Sequence, residues 1–483
     1  MIVWGVTAMT HDASISVIRD DGEILFAAHA ERYSGIKFDR DLNQGIIDEA
    51  LFYGEPDVIV FYENPWKKKW RQITSGHWRY AFDSARWPGR YLKKFGLRAP
   101  VTAVDHHISH AAAGYYTSHF SEATAVVIDA VGEILTASVW HVKDGQFQLK
   151  KKLKFPYSIG LMYSAFTQRC GLKPNEEEYI LMGMAAYGEP IYARDIIASF
   201  LDEDLNPIVP MHYGIGDWKP NAKPEDLAAS VQFICEKQVR SFLVDAFSAT
   251  KCPKLVYGGG VALNCVINTG LLKHTGFNEV WIMPNPGDAG SSLGAAAHWL
   301  RQRLNWRGPY LGTAIHRSYP VAQACELLMA GEIVGIACGR AEFGPRALGN
   351  RSLLADPRTL EMKDRVNQIK KRQKFRPFAP AVLEEYASEW FDLSPAPTPY
   401  MQFAVQCRRP DEVPAVCHVD GTSRVQTVSK ENHPCFYALL KEFHQRTGCP
   451  MLLNTSLNIR GKPMVNDRKD ADAFEQEYGV PVL

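Results

Sequence analysis

A histidine pair is the feature of this sequence with the clearest chemical potential. His106 and His110 are four residues apart, so on a helix they project from one face and can bind one metal ion. Asp129 ends an apolar run and Asp288 follows a Pro-Gly pair, which gives two carboxylates at loop positions. Such a mixed nitrogen and oxygen set suits iron, manganese or zinc. Histidine pairs are also common as structural features, so the spacing alone leaves both interpretations open.

Glycine-rich turns offer a second kind of site. The stretches Gly258–Asn264 and Gly287–Gly294 allow a backbone to approach a phosphate or a flat base closely. Neither matches a P-loop, and no GxGxxG pattern follows a strand, so the P-loop and Rossmann classes are excluded. Ordinary turns have the same composition, and the pattern alone does not separate them from a nucleotide site.

Basic residues in the C-terminal part alternate with small polar and apolar residues. Guanidinium and ammonium groups beside hydroxyl and amide side chains are the groups that bind a phosphate and a planar amide together. A charged face exposed to solvent is the alternative, but charges interleaved with Phe375, Pro377 and Phe378 are not patterned like one. We therefore favour an anion pocket formed by Arg346, Arg351, Lys370, Lys371, Arg376, Arg424, Asn454, Ser456 and Asn458.

Another basic cluster is rich in aromatic residues. Between Pro65 and Ala99 there are ten Lys or Arg residues and one acid, among six Trp or Tyr residues. Nucleic acid, a nucleotide or an anionic surface would suit this segment, and so would cation–π packing in a helical insertion. If the segment holds phosphate, we expect Lys67, Lys68 and Lys69 to contribute.

An internal repeat indicates which elements position these residues. The apolar run Ile2–Val6 precedes a hairpin with an Asp21-Gly22 turn, and the run Ala125–Asp129 precedes a hairpin with an Asp144-Gly145 turn. A long amphipathic helix is predicted over Ala228–Ala249. A duplicated α/β architecture explains this repeat, with the loop after each first strand facing a shared cleft. Coincidence between common Asp-Gly turns is the alternative.

The composition limits the possible classes of protein. The 483 residues include 54 Lys and Arg against 53 Asp and Glu, which excludes a chain that coats a polyanion over its whole surface. No apolar run approaches the ~18 residues of a membrane span. The ten cysteines are scattered, which argues against a disulfide framework or a thiolate zinc site. We expect a cytoplasmic protein with no membrane partner, divided near Trp306–His316.

Together these motifs resemble the NodU/CmcH-type O-carbamoyltransferase family over nearly the whole chain. The matching stretches are His11-Asp12-Ala-Ser, His106-His107-Ile-Ser-His110, Ile128-Asp129, Asn175-Glu-Glu-Glu178-Tyr179, Met182-Gly183-Met-Ala-Ala-Tyr-Gly188, Gly258-Gly-Gly-Val-Ala-Leu-Asn264, Pro286-Gly-Asp288, Gly344-Pro-Arg346-Ala-Leu-Gly-Asn-Arg351, Phe375-Arg376-Pro-Phe and Asn454-Thr-Ser-Leu-Asn458.

The resemblance implies two domains with separate tasks. Residues 1–310, with subdomains of about 1–120 and 121–310, would form a duplicated α/β domain of the actin/hexokinase-like (ASKHA) class, similar to the universal tRNA threonylcarbamoyltransferase. Residues 311–483 would form a YrdC-like α/β domain that combines carbamoyl phosphate with ATP into carbamoyl-adenylate, releasing phosphate and pyrophosphate. The N-terminal domain would pass the carbamoyl group to an acceptor hydroxyl and release AMP.

The resemblance also implies residue roles. His106, His110, Asp129 and Asp288 would hold Fe²⁺ or another divalent metal, Mg²⁺ would accompany ATP, and His11 or Asp12 would be the base. The N-terminal nucleotide site would comprise Glu178, Gly183, Gly258, Gly259, Gly260 and Asn264, and the basic residues after 311 would bind carbamoyl phosphate and ATP.

Some features of the enzyme stay open at this stage. Ile180, Lys374 and Leu457 depart from the family pattern, which bears on the acceptor and the pocket shape. The acceptor is a small molecule, with a hydroxymethylated nucleotide or DNA base among the options, and the chain is a monomer or a homodimer. The alternatives are a tRNA threonylcarbamoyltransferase-like enzyme and a non-catalytic module that binds nucleotide or nucleic acid.

Overall fold

A computed structural model describes residues 1–76, 78–394 and 397–483. The chain divides into two compact units, the first formed by Met1–Ala30 and Phe38–Trp306 and the second by Glu31–Lys37 and Arg307–Leu483. The short segment Glu31–Lys37, with helix α1 over Glu31–Ser34, therefore groups with the second unit, which the sequence analysis did not anticipate.

The reason for this grouping is a buried arginine. Arg32 donates hydrogen bonds from its guanidinium to the carbonyl oxygens of Glu342, Gly344 and Val465, all in the second unit. Because a buried guanidinium must be paired to be tolerated, these carbonyls hold the segment there.

The first sheet of unit 1 has the strand order β3-β2-β1-β4-β5. Strand β1 is antiparallel to β2 and parallel to β4, and its residues Val3, Trp4 and Val6 are fully buried. The strands are β1 (Ile2–Thr7), β2 (Ser14–Arg19), β3 (Ile24–His29), β4 (Val58–Phe61) and β5 (Val101–Ala103).

The second sheet repeats this arrangement, with the order β8-β7-β6-β9-β10. Strand β6 is antiparallel to β7 and parallel to β9. Its strands are β6 (Glu122–Gly132), β7 (Leu135–Lys143), β8 (Gln146–Lys154), β9 (Lys254–Gly258) and β10 (Glu279–Trp281). The repeat read from the two Asp-Gly hairpins is thus a repeat of the whole sheet, and the predicted duplicated α/β class of actin/hexokinase-like type is confirmed.

Helices α6 and α12 pack closely against each other, and α6 carries two of the predicted metal ligands. A Cβ atom at Gly294 would lie only 1.8 Å from the carbonyl oxygen of Ser109, so glycine permits this approach.

The helices of unit 1 are α2 (Gln44–Phe52), α3 (Pro65–Thr74), α4 (Trp78–Phe82), α5 (Pro88–Lys93), α6 (His106–Thr117), α7 (Ile159–Arg169), α8 (Glu178–Met184), α9 (Ala193–Phe200), α10 (Pro224–Thr250), α11 (Cys265–Thr269) and α12 (Ser291–Leu300). The predicted helix over Ala228–Ala249 is confirmed within α10.

Unit 2 is built on a mixed five-stranded sheet with the order β12-β14-β19-β15-β18, beside the pairs β11-β13 and β16-β17. Its strands are β11 (Tyr310–Ile315), β12 (Val334–Ala337), β13 (Gly339–Glu342), β14 (Arg351–Ala355), β15 (Ala379–Leu383), β16 (Ala404–Gln406), β17 (Thr422–Arg424), β18 (Gln426–Val428) and β19 (Met451–Ser456). Its helices are α13 (Val321–Met329), α14 (Leu360–Ile369), α15 (Glu384–Trp390), α16 (Pro434–Thr447) and α17 (Arg468–Tyr478). Within the described ranges, no helix has the length and apolar content that crossing a membrane requires.

Candidate metal centre and anion site

The four predicted metal ligands converge in unit 1. His106 begins α6 and His110 follows one turn later, while Asp129 lies in β6 and Asp288 begins a short 3-10 turn. Nε2 of His106 lies 3.1 Å from Nε2 of His110 and 3.0 Å from Oδ2 of Asp129. Oδ1 of Asp288 lies 3.3 Å from Nε2 of His110. All four ligand atoms lie within 4.8 Å of one another, so they form a possible metal-binding group.

Backbone groups orient these ligands. Nδ1 of His110 lies 3.1 Å from the carbonyl oxygen of Pro286, and by donating to it leaves Nε2 with a lone pair toward the cluster. The backbone N–H of Gly260 donates to Oδ1 of Asp129 at 3.2 Å, which directs Oδ2 toward the histidines. A Cβ atom at Gly132 would come within 2.0 Å of the His106 ring. The arrangement therefore depends on glycine as well as on the ligands.

The cluster is buried and favours positive charge. Burial alone would lower the pKa of His110, but hydrogen bonds with Asp129 and Asp288 raise that pKa to about 9. Burial would raise the pKa of Asp129, and hydrogen bonds with His106 and His110 instead hold it well below its usual range. Because the carboxylates stabilise ring protons here, a divalent cation that replaces those protons fits the same donors.

A second pair of titratable groups lies in the loop after β1. Nδ1 of His11 is 3.1 Å from Oδ2 of Asp12, and its ring stacks on Phe38 with the centroids 5.4 Å apart. Burial lowers the pKa of His11, but the charge of Asp12 and its hydrogen bond raise that pKa to about 10, with a smaller contribution from Asp288. At neutral pH the pair is therefore an imidazolium beside a carboxylate.

The Gly-rich turn serves to place a ligand of the cluster. Gly259 has a φ of 90°, and a Cβ atom there would lie 2.3 Å from the carbonyl oxygen of Ile128. Asn264 accepts a hydrogen bond from the N–H of Ile267 at the start of α11 and donates one to Gln232 at 2.9 Å. These residues of the predicted nucleotide site therefore have structural tasks beside any ligand.

The other two residues of that predicted site lie in α8. Oε1 of Glu178 accepts hydrogen bonds from the hydroxyl of Ser164 at 2.6 Å and from the N–H of Asn175 at 2.5 Å. Burial raises the pKa of the Glu178 carboxyl. Gly183 lies in the last turn of the same helix. Glu178 thus fixes the start of α8.

A cavity that the sequence analysis missed lies between α10 and α11. Its volume is about 190 Å³, and it is next to the segment that Asn264 caps. Glu236 and Arg240 are four residues apart on α10, so their charged groups share one face, and this spacing is the signal that was overlooked. The lining comprises Glu236, Val239, Arg240, Leu243, Val266, Ile267, Thr269, Gly270, Leu271 and Lys273.

In unit 2, three of the predicted anion-binding residues meet. Nζ of Lys370 donates to the side chains of Ser456 at 3.1 Å and Asn458 at 3.0 Å. Burial lowers the pKa of Lys370 well below its usual range, and the charges of Arg372 and Arg376 lower it further. Because positive charges accumulate in a buried place, this cluster is suited to an anion.

Two other predicted anion-binding residues have different tasks in the structure. Arg351 is fully buried, and its guanidinium donates to the backbone carbonyl oxygens of Thr313, Cys338, Gly339, Asn350 and Asn466. Asn454 donates to the carbonyl oxygen of Ala347 at 3.1 Å and to Gln426 at 2.7 Å. An anion would have to compete with these contacts, and a role of Arg351 and Asn454 in binding it stays a prediction.

The remaining basic residues of the prediction are spread over unit 2. Nζ of Lys371 lies 5.1 Å from the centre of the Tyr478 ring, so it makes a cation–π contact. Arg346, Arg376 and Arg424 are half-buried. Arg372, which the prediction did not include, donates to Asn367 at 2.8 Å.

The lysine run at 67–69 also differs from its prediction. Nζ of Lys67 pairs with Asp105, which precedes α6, and Nζ of Lys68 pairs with Glu63 and donates to Thr10. Lys69 lies over the Trp87 ring at 4.5 Å. These lysines are thus directed toward groups of unit 1, and a phosphate would have to compete with those partners. The side chain of Tyr80, part of the aromatic set, lies outside the described residues.

Comparison with known proteins matches both parts of the chain to carbamoyltransferases. Residues 60–206 and 214–297 match the family model "Carbamoyltransferase N-terminus", and residues 325–483 match "Carbamoyltransferase C-terminus". Among solved structures, full-length HypF in its phosphate- and nucleotide-bound form aligns with 62% of this chain and 55% of its own, at 14% identity and a TM-score of 0.37.

Curated relatives span most of the chain. Nodulation protein NolNO of Sinorhizobium fredii is 34% identical over 95% of this chain and 76% of its own length. Nodulation protein NolO of Bradyrhizobium diazoefficiens is 36% identical over 76% of this chain and 75% of its own. An uncharacterised Synechocystis protein is 33% identical over 97% of this chain and 93% of its own. The chain therefore belongs to the carbamoyltransferase family and is a transferase enzyme.

Proposed function

We propose that this enzyme is an ATP-dependent O-carbamoyltransferase. Carbamoyl phosphate, ATP and one water give carbamoyl-adenylate, phosphate and pyrophosphate. The carbamoyl group then passes to an acceptor hydroxyl, which loses its proton, and AMP leaves. The observation that carries the proposal is the convergence of His106, His110, Asp129 and Asp288 in a chain of this family.

The first half-reaction is assigned to unit 2, which we propose to be the YrdC-like domain. Carbamoyl phosphate and ATP repel each other as anions, and bringing them together is much of the catalysis. The charges of Arg372 and Arg376, near the buried amine of Lys370, would supply the neutralising field. Ser456 and Asn458 accept hydrogen bonds from that amine and offer polar groups for the planar carbamoyl amide.

The transfer half-reaction is assigned to unit 1. His106, His110, Asp129 and Asp288 would hold Fe²⁺ or another divalent ion, which supplies Lewis-acid polarisation of a carbonyl when bound. The cavity between α10 and α11 would take the adenine, with apolar walls for the ring, Glu236 to accept from its amino group and Arg240 to stack. The N–H of Gly260 donates to Asp129, and Gly260 lies shortly before Val266 of the cavity lining in the sequence.

Asp12 is the proposed base for the acceptor proton. With its pKa raised to about 10, His11 is protonated at neutral pH and has no free basic nitrogen. The carboxylate of Asp12 can accept a proton, while the adjacent imidazolium balances the charge that develops. Both residues lie just before β2, which begins at Ser14, so this strand anchors the end of the loop.

A direct test incubates the enzyme with ATP, carbamoyl phosphate and a panel of sugar, antibiotic and nucleotide hydroxyl acceptors, including hydroxymethylated nucleotides. Pyrophosphate release reports the first half-reaction, and a mass gain of one carbamoyl group on an acceptor reports the second. An Asp288→Asn variant should retain pyrophosphate release and lose the mass gain. If the wild-type enzyme releases no pyrophosphate from this mixture, the proposed adenylate route is wrong.

A further inference from the structure

The helices α3 and α4 present an aromatic face to solvent. Trp66 and Trp70, one turn apart on α3, are 70% and 63% exposed, and Trp78 and Phe82, one turn apart on α4, are 55% and 70% exposed. None of the described residues of α3 is buried. Large aromatic side chains concentrated on two adjacent helices exceed the scattered exposure that is normal for a protein surface. We call these four side chains the aromatic face.

The cations of α3 contact groups of unit 1. Lys67 pairs with Asp105 and Lys68 pairs with Glu63, while Lys69 lies over the Trp87 ring, which Trp66 of the aromatic face also contacts. The guanidinium of Arg71 lies 5.7 Å from the centre of the Phe155 ring. These contacts anchor the polar side of α3 to unit 1, and they leave the apolar side of an amphipathic helix facing water.

Other cations follow the aromatic face along the chain. The residues from α4 to β5 include five exposed basic side chains, Arg79, Arg90, Lys93, Lys94 and Arg98. Exposed positive charges in the same segment as exposed aromatic side chains complement an anionic surface. A second copy of the same face would bring like charges together. Single-stranded nucleic acid would need cations that are available beside the stacked rings, whereas Lys67 and Lys68 of α3 are paired with Asp105 and Glu63.

We propose that α3 and α4 form a docking surface for a bilayer that contains anionic phospholipid. Aromatic side chains at the boundary between headgroups and acyl chains, with Lys and Arg beside the headgroups, are the features of a helix that lies in the membrane interface. Such a helix needs no spanning run, so the absence of a predicted span does not bear on it. The proposal goes beyond carbamoyl transfer and does not depend on it.

The test is sedimentation of the full-length enzyme with vesicles of phosphatidylcholine, with or without phosphatidylglycerol. The wild type should bind the anionic vesicles and show a blue shift of tryptophan fluorescence. Trp70→Ala/Phe82→Ala should lower the partition coefficient about tenfold or more, because buried aromatic area is lost. Arg79→Gln/Arg90→Gln should lower it less and weaken its salt dependence. Phe52→Ala, at an aromatic side chain that is 84% exposed outside this face, is the matched control and should bind like wild type.

Three results would overturn the proposal. One is equal binding of the wild type to neutral and anionic vesicles. Another is unchanged vesicle binding by Trp70→Ala/Phe82→Ala. The third is a labelled single-stranded oligonucleotide that binds the wild type, but not this double variant, in the absence of vesicle binding, which would assign the face to nucleic acid.

Discussion

The metal cluster of unit 1 and the basic cluster of unit 2 were both predicted from residue types, yet they turned out differently. In unit 1 the four side chains meet with their ligand atoms directed at one another. In unit 2 Lys370, Ser456 and Asn458 meet, but Lys370 donates to backbone and side-chain oxygens of both residues, and Arg351 and Asn454 likewise have partners within the fold. Residue types thus predicted one set of side chains that converges and another whose members lie among partners of the fold.

Donor chemistry explains the difference. A guanidinium carries five N–H groups, and a buried one must satisfy them, so carbonyl oxygens of the fold are natural partners for Arg351. An imidazole has one N–H when neutral, and for His110 the carbonyl of Pro286 uses it. The other nitrogen then either carries a proton that the carboxylates stabilise or offers its lone pair to a metal cation. Buried histidines beside carboxylates are therefore better evidence for a ligand site than buried arginines.

The largest expected effect concerns the metal cluster. His110→Ala removes a ligand, so bound metal should fall from one ion per chain to none and carbamoyl transfer should fall more than about 100-fold. Metal content measured by mass spectrometry and transfer measured by product mass check this. His107→Gln is the control, because His107 bonds Ser138 and the carbonyl of Leu135 outside the cluster. Unchanged metal content in a folded His110→Ala enzyme would show that the four side chains of unit 1 do not form a metal site.

Within unit 2, substitution of Lys370 should affect activity and substitution of Arg351 should affect stability. Lys370→Met removes the buried amine that holds Ser456 and Asn458, and pyrophosphate release should fall about 100-fold. Arg351→Lys leaves carbonyls without donors, so it should lower the free energy of unfolding by about 2–4 kcal/mol. The Michaelis constant for carbamoyl phosphate should stay unchanged in the folded Arg351→Lys enzyme. A higher Michaelis constant for carbamoyl phosphate without loss of stability would show that Arg351 binds the anion.

The His11–Asp12 loop separates the half-reactions. Asp12→Asn removes the proposed base, so transfer should slow about 100-fold. Pyrophosphate release should persist, since Lys370 and its partners lie in unit 2. His11→Asn should also slow transfer, by loss of the balancing charge. Transfer at the wild-type rate by both Asp12→Asn and His11→Asn would mean that this loop has no part in the reaction.

Local patterns predicted much of this molecule. The hairpins at Asp21-Gly22 and Asp144-Gly145, the helix within α10 and the pairing of His106 with His110 all follow from spacing along the chain. What spacing does not give are partners far away in sequence. Arg351 bonds the carbonyl of Asn466, and Lys67 pairs with Asp105, neither of which spacing can foresee. The Glu236 and Arg240 pair was within reach, because its helical spacing is local.

The smallest expected effect sharpens the electrostatic side of the comparison. The pKa of His11 is raised in the folded protein from 6.5 to about 10. Its contribution to stability is therefore fully present below about pH 6.5 and is lost as the pH rises to about 10. The difference in unfolding free energy between the wild type and His11→Asn, measured by urea denaturation, should shrink across that window. Asp12→Asn should abolish the same pH dependence, because Asp12 is the main group that raises this pKa. A constant difference from pH 7 to 10 would show that His11 is not held as an imidazolium, and it would return to His11 the role of base now given to Asp12.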